Sequence, residues 1–140
     1  MIKRMLLITI GFSVIVWAGF SRNNTTKIVT DNSTGLQWED DIIVNKTWIQ
    51  AINYCESLTL GSYTNWRLPN FNELYHLADK SKDSLVINSV FQNVVPNEYW
   101  SSTTVVGYKN KVWNVSFYNG EGSWYSKSYG GYVRCVRVEQ

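Results

Sequence analysis

The chain has 140 residues, which is long enough for one domain. It carries 13 Lys and Arg against 11 Asp and Glu, but Lys3 and Arg4 lie in a segment that we expect to be removed. Without them the charges balance at 11 each, which argues against a nucleic-acid-binding protein.

The N-terminal segment has the pattern of a secretory signal peptide. Lys3 and Arg4 precede an uncharged apolar run, Met5–Trp17, and Ala18 occupies a cleavage position. We expect residues 1–18 to be cleaved and the protein to be periplasmic, secreted or on the cell surface. The alternative is an uncleaved anchor, but the run is shorter than the roughly 20 residues that a membrane span needs. No span is expected after cleavage.

Two cysteines, Cys55 and Cys135, follow the signal. In an oxidising compartment an even number of cysteines favours a disulfide. A metal site is the weaker alternative, because there is no CxxC pair and His76 is the only histidine. A cysteine nucleophile would need a free thiol and an activating partner. We therefore expect a disulfide, and no metal or cofactor.

The first part of the expected domain is polar and then strand-forming. Residues 19–26 are predicted to be a flexible lead-in, and a single domain is predicted over 27–140. Ile28–Thr30 and Leu36–Trp38 are predicted to form short strands, because turn-forming residues separate them.

A first helix is predicted over "KTWIQAINYCESL". Thr47 and Gln50 have the spacing of a capping box at its start. Gly61 lies where the helix is expected to end. The apolar side chains share one face, which turns Cys55 toward the core; they are Trp48, Ala51, Ile52, Cys55 and Leu58.

A second helix is predicted after Pro69. Asn70 is a good N-cap, and Glu73 stands three residues later. His76 follows on the same helix, where a single histidine is more often structural than catalytic. The predicted buried stripe is Phe71, Leu74 and Leu77.

The stretch Trp66, Arg67, Leu68 and Pro69 precedes this helix and is either a structural corner or a ligand site. Pro69 fixes its own φ and disfavours a helical Leu68. In an extended segment Trp66 and Leu68 then point into the core, while Arg67 points away and can pair with Glu73. We interpret the four residues as a structural corner.

The last third changes to strands rich in aromatic residues, joined by glycine turns. The turns are "NGEG" and "GG", and the last three strands are expected to form a meander. On one of them Trp113 and Phe117 are expected to face inward. Strands followed by helices and then by strands indicate an α+β fold. The predicted strands are residues 99–103, 112–118, 123–129 and 132–138.

Six stretches carry a pattern that is specific when they are taken together: "VTDNSTGLQW", "TWIQAINYC", "NWRLPNFNEL", "YWSST", "VWNVSFYNG" and "YVRCVR". With this pattern the chain resembles the Lcl C-terminal domain family over about residues 27–138. The resemblance implies an exported bacterial adhesin domain that binds sulfated glycans. It also implies a C-type lectin-like fold of two helices and short antiparallel sheets, with a disulfide from Cys55 on the first helix to Cys135 on the last strand.

The calcium site of C-type lectins is not expected here. Those lectins use a Trp-Asn-Asp motif, and in this chain Trp113 and Asn114 are followed by Val115. Asn97 and Glu98 offer oxygen atoms, but not in the order of the lectin motif. A hard cation needs about six to eight oxygen ligands.

The density of aromatic residues after residue 98 favours a binding module for a glycan or another surface polymer. Exposed Trp and Tyr rings offer large contact areas, and the lysines attract anions. Trp124 and Tyr125 alternate across a strand, and we favour Trp124 as the exposed ring. The alternative is an assembly module that contacts another envelope protein through the same surface. The candidate ligand residues are Trp124, Tyr125, Tyr129, Trp100, Lys109, Lys111 and Lys127.

An enzyme is not expected. There is no Ser-His-Asp order, no metal cluster and no glycine-rich phosphate loop in the sequence. Asp40 and Asp41 are adjacent carboxylates, but they begin a polar connector in which both are expected to be solvated.

Overall fold

The computed structural model describes residues 19–139, so the predicted signal peptide, 1–18, lies outside the described residues. The described part is α+β, as predicted, with two helices and two mostly antiparallel sheets. The helices are α1 (Trp48–Glu56) and α2 (Phe71–Tyr75). The strands are β1 (Phe20–Asn23), β2 (Ile28–Asp31), β3 (Leu36–Glu39), β4 (Asn45–Lys46), β5 (Glu98–Val105), β6 (Tyr108–Ser116), β7 (Gly122–Ser126), β8 (Gly131–Tyr132) and β9 (Val136–Val138).

The strands form a four-stranded sheet and a five-stranded sheet. The first sheet has the order β1-β2-β3-β9, and all its pairs are antiparallel. The second sheet has the order β4-β8-β5-β6-β7, in which only the β5–β8 pair is parallel. The two strands predicted near the N-terminus are confirmed as β2 and β3, and both belong to the first sheet.

Residues 19–26 are not a flexible lead-in, because they contain β1. Phe20 lies opposite Asp31 on β2, so β1 is hydrogen-bonded along its length. The Phe20 ring also contacts Phe91 edge to face, with ring centroids 5.7 Å apart. Buried contacts of this kind fix a segment that its polar composition alone would leave mobile.

Helix α1 begins as predicted but ends earlier. Gln50 Oε1 accepts a hydrogen bond from the Thr47 backbone N–H at 3.1 Å, as in a capping box. At the other end the Ser57 hydroxyl donates to the Asn53 carbonyl at 2.7 Å, which satisfies one of the last carbonyls. Gly61 is not the helix stop. It has a φ of 61° in the tight turn that joins Leu60 to Tyr63.

Helix α2 is a short helix held by its cap. Asn70 Oδ1 accepts from the Glu73 N–H at 2.8 Å, and Glu73 Oε1 accepts from the Asn70 N–H at 2.9 Å. Leu74 and Leu77 are buried as predicted, whereas Phe71 is only half-buried. The His76 side chain is exposed, and its Nε2 lies 3.6 Å from Asp31 Oδ2.

Two hydrophobic clusters form the core. The first joins the two sheets through side chains such as Val29, Trp38 and Phe117, with Leu74 from α2. The second packs α1 through Ala51 and Cys55 against the other side of the second sheet. The Cys55–Cys135 disulfide lies in the second cluster and is confirmed, with Cα atoms 5.4 Å apart.

The predicted C-terminal meander is wrong in its last strand. β5, β6 and β7 are consecutive neighbours, but β8 lies between β4 and β5 and β9 joins the first sheet beside β3. Gly131 permits this route, because a Cβ on it would lie 2.6 Å from the Trp100 indole nitrogen. The glycine pair therefore leads from β7 to β8 on the far side of β5 in the same sheet rather than into a hairpin, and the chain changes sheets after β8.

Asp40 is buried, so the prediction of two solvated carboxylates is wrong for this residue. Its carboxylate accepts hydrogen bonds from Arg22 Nε at 2.6 Å and from Arg134 Nη1 at 3.1 Å. It also accepts from the backbone N–H groups of Gln92 and Asn93. Burial alone would raise the pKa of Asp40, but these donors outweigh it and hold the pKa below the ordinary value of 3.8.

Removing the disulfide should destabilise the domain. Cys135→Ser is expected to lower the free energy of unfolding by about 2–5 kcal/mol, because the bond closes a long loop. Denaturant unfolding of the variant and the wild type would measure the loss. Intact mass before and after reduction should differ by two hydrogen atoms, and two free thiols in the oxidised protein would contradict the bond.

Asp40→Asn should destabilise the fold by about 3–5 kcal/mol, because it leaves the Arg134 guanidinium buried without its counter-charge. Asp41→Asn is the matched control, since Asp41 is exposed and should change little.

The pH dependence gives a second readout for Asp40. A carboxyl with a lowered folded pKa stabilises the fold above its ordinary pKa, here 3.8, and loses this contribution as the pH falls toward the folded value. Asp40→Asn should therefore flatten acid unfolding below that pH. If stability falls with decreasing pH in Asp40→Asn as steeply as in the wild type, the role of Asp40 is contradicted.

Candidate functional site

The β6–β7 hairpin presents two parallel aromatic rings to solvent. Tyr108 is 60% exposed and Trp124 is 46% exposed. Their rings lie 7° from parallel, with centroids 6.4 Å apart. The prediction that Trp124 is the exposed ring of its pair is confirmed. Tyr108 was not predicted as a site residue. It belongs to the aromatic-rich stretch after residue 98, which was the signal available for it.

Lys111 lies against both rings. Its Nζ is 3.8 Å from the Trp124 ring centroid and 5.1 Å from that of Tyr108. A cation over an indole face is attracted by the ring quadrupole, which orients the ammonium. We call these three residues, Tyr108, Lys111 and Trp124, the aromatic platform.

Strand alternation and register bring Lys111 and Trp124 to one face of the sheet. Lys111 and Trp113 lie two residues apart on β6 and share a face. Trp124 is the register partner of Trp113 on β7, so it lies on that face as well. Trp113 itself is only half-buried, whereas Phe117 is fully buried as expected.

Trp100 is not accessible to a ligand, which corrects its place among the candidate residues. It is 1% exposed, and its Nε1 donates to the Lys46 carbonyl at 2.8 Å. Tyr125 packs edge to face against it, with ring centroids 6.3 Å apart. Burial, together with the nearby Glu98 carboxylate, raises the pKa of Tyr125. These two rings belong to the second core cluster and its border.

The other candidates do not join the platform. Tyr129 is 60% exposed and contacts Tyr125, whose side chain faces away from Trp124. Lys127 Nζ lies 4.3 Å from the Trp48 ring centroid, near α1. Lys109 is exposed next to Tyr108. The seven candidates therefore divide between the platform, the opposite face and the core.

The platform residues lie in a part of the sequence that contains almost no acidic residues. The stretches 99–120 and 122–138 contain no Asp or Glu, and Glu121 stands alone between them. Lys109 and Lys111 therefore have no acidic neighbours in sequence. Lysines in such a stretch favour an anionic ligand over a cationic one.

The Trp66–Pro69 stretch forms a fixed corner of the fold. The Arg67 and Val136 backbones exchange two hydrogen bonds of 2.9 Å, while Trp66 and Leu68 are buried. Arg67 forms the predicted pair with Glu73, with two nitrogen–oxygen distances of 2.7 and 2.8 Å. The hydrogen bonds from Arg67 lower the pKa of Glu73, although burial acts against them.

Arg67 also lines a surface groove of about 330 Å³ beside α1. About two fifths of its side chain is open to solvent, so geometry alone permits a ligand contact. The groove is lined by Trp48, Ile52, Glu56, Arg67, Leu68 and Ser102.

Among residues 19–139, no three His, Cys, Asp or Glu side chains lie close enough to hold a metal ion. Asn114, the asparagine that matches the lectin motif, is turned into the protein rather than toward a cation. Asn114 is buried, and its Oδ1 accepts a hydrogen bond from the Ser123 hydroxyl at 2.6 Å.

Comparison with known proteins identifies the family. The family model of the Lcl C-terminal domain matches residues 27–137. The chain therefore belongs to the Lcl C-terminal domain family, as its sequence motifs indicated. The comparison with curated proteins gives no match. No helix in the described part of the chain is long and apolar enough to cross a membrane.

Arg67→Ala tests the interpretation of the corner. It should lower the free energy of unfolding by about 1–2 kcal/mol, between the values for an exposed ion pair and for a charged hydrogen bond. Thermal unfolding of Arg67→Ala and Arg67→Lys would measure this, since Lys keeps the charge and loses the paired geometry. An unchanged melting temperature with lost ligand binding would instead make Arg67 a binding residue.

Proposed function

We propose that this member of the Lcl C-terminal domain family is an exported adhesion module that binds a glycan or another surface polymer. The binding surface is the aromatic platform of Tyr108, Lys111 and Trp124. The function is binding rather than catalysis, with no cofactor and no nucleic-acid partner.

The exposed ring pair with its attached cation is the observation that carries this proposal. Sugar rings have apolar faces that stack on indole and phenol rings, which offer contact area at low entropy cost. Lys111 is held beside these rings by its cation–π contacts. A sulfate or carboxylate on the same sugar would meet this ammonium. The platform thus suits an acidic glycan better than a neutral one.

Export and a lectin-like architecture belong to the same proposal. The Cys55–Cys135 disulfide is consistent with an oxidising compartment. It also ties the first helix to the residue just before the last strand, close to the helix-to-last-strand position that the resemblance to C-type lectin-like folds implies. The two-helix, two-sheet architecture is compatible with that fold.

A second candidate function is assembly with another envelope protein. Val106, at the tip of the β5–β6 hairpin, is 94% exposed, and a single glycine separates it from Tyr108 in the chain. Apolar and aromatic side chains together are typical of protein interfaces. Concentration-dependent sedimentation and capture of an envelope protein that Val106→Asp abolishes would favour assembly over glycan binding.

The contributions of charge attraction and of ring stacking to glycan binding should differ in their dependence on salt concentration. Replacing Lys109, Lys111 and Lys127 together by Ala should weaken binding to a sulfated glycan and flatten its salt dependence, because these charges act through screened attraction. Trp124→Ala should weaken binding at every salt concentration, because stacking does not depend on charge. Titration calorimetry of purified residues 19–140 would measure both.

Tyr118→Ala is the matched control, since Tyr118 is an exposed ring that lies outside the platform. It should leave binding unchanged. Trp124→Ala should also leave the melting temperature nearly unchanged, whereas Tyr125→Ala should cost roughly 2 kcal/mol, about half the value for a fully buried ring. Absence of binding to neutral and sulfated glycans on an array would contradict the proposed function.

A further inference from the structure

The exposed aromatic surface continues beyond the platform onto α2. Trp113 lies beside Trp124 across the β6–β7 pair. The Phe71 ring lies 5.4 Å from the Trp113 ring, and the Tyr75 ring lies 5.5 Å from Phe71, stacked at 25°. Because Phe71 and Tyr75 are four residues apart, they share one side of α2. We call these five residues, Tyr75, Phe71, Trp113, Trp124 and Tyr108, the aromatic row.

A glycine allows α2 to close onto this face. A Cβ on Gly122 would lie 2.7 Å from Phe71 Cζ, so any side chain there would push the ring away. Gly122 and Trp124 lie two residues apart on β7 and share a face. Phe71 therefore lies against the same side of the sheet as Trp113 and Trp124, so the rings of α2 and of the β6–β7 pair border one face.

The row reaches the surface at the border of the core, where Phe71 packs against the first hydrophobic cluster. Tyr75 is 38% exposed, and Phe71 and Trp113 are half-buried. None of the five rings belongs to the buried members of either hydrophobic cluster. Each ring in the row therefore keeps an edge or a face that a ligand can reach.

We infer that the aromatic row is a binding track of several subsites for a linear acidic polysaccharide, with a sugar unit at successive rings. This inference rests on the proposed function and extends its site to α2. The ring centroids of the three contacting pairs in the row are 5.4, 5.5 and 6.4 Å apart, which is close to the length of one pyranose unit, and strand register places Trp113 beside Trp124 between them. A chain of sugars that repeats at this spacing can stack on consecutive rings, whereas a single sugar meets only one or two.

The charges give the track two different ends. Among residues 19–139 no carboxylate forms an ion pair with Lys111, so its charge is available. At the other end Lys80 Nζ lies 5.5 Å from the Tyr75 ring, but it is 2.9 Å from Glu121 Oε1. Glu121 neutralises this lysine. The acidic groups of the ligand therefore pair at the Lys111 end, and stacking dominates at the Tyr75 end.

Length dependence tests the track. Size-fractionated heparin oligosaccharides, from disaccharide to decasaccharide, would be titrated into purified residues 19–140. The affinity of the wild type should rise over the first few sugar units and then level off. Tyr75→Ala should weaken binding of the longest fraction about three- to tenfold, as expected for one lost aromatic stacking contact, and leave the disaccharide unchanged.

Two further variants keep the test independent of stability. Glu121→Gln should strengthen binding of the longer fractions, because it frees Lys80, and this exposed pair contributes little to folding. Tyr118→Ala should bind every fraction as the wild type does. Melting temperatures of all variants would be compared to confirm that they are folded.

The outcomes separate the two proposals. If the wild type binds no oligosaccharide of any length, the proposed function fails and the track fails with it. If the wild type binds but its affinity is the same for every length, the platform stands and the track is wrong. An equal loss for short and long fractions in Tyr75→Ala would place a single site at α2 and would also overturn the track.

Discussion

The buried Asp40 carboxylate is the contact on which the arrangement of the chain depends. It joins β1 through Arg22, the loop before β5 through the backbone of Gln92 and Asn93, and the segment before β9 through Arg134. Arg134 also donates to the Glu39 and Asn93 carbonyls. A charge removed from water is tolerated only when it is paired and hydrogen-bonded. The four segments must therefore meet in this one way.

The disulfide and the two hydrophobic clusters then fix the second sheet around this centre. Cys135 lies next to Arg134, so the covalent tie to α1 and the ionic tie to Asp40 hold the same short segment. One cluster packs each side of the sheet. The side chains of the aromatic platform belong to neither cluster, while strand pairing holds their backbone.

For the proposed function, placing the exposed rings on paired strands lowers the entropy cost of binding. A ring on a mobile loop would lose conformational entropy when it bound a sugar, whereas Trp124 is already held by strand pairing and by Lys111. The same hairpin shows how one strand serves two purposes. Tyr125 packs inward on Trp100 while its neighbour Trp124 faces solvent.

The sequence by itself determined the local structure, the family and the disulfide. Capping patterns located the starts of α1 and α2, because caps are satisfied by residues three positions away. Alternation placed Trp124 and Tyr125 on opposite sides of one strand, and the ion pair of Arg67 with Glu73 spans only six residues.

Tertiary structure alone decided the contacts between distant segments. The burial of Asp40 depends on Arg134, 94 residues away, and the place of β8 beside β5 depends on how closely Trp100 approaches Gly131. The aromatic row likewise depends on Phe71 resting on Gly122. No local pattern encodes these approaches, because periodicity reports which side of an element is apolar and not which element will cover it.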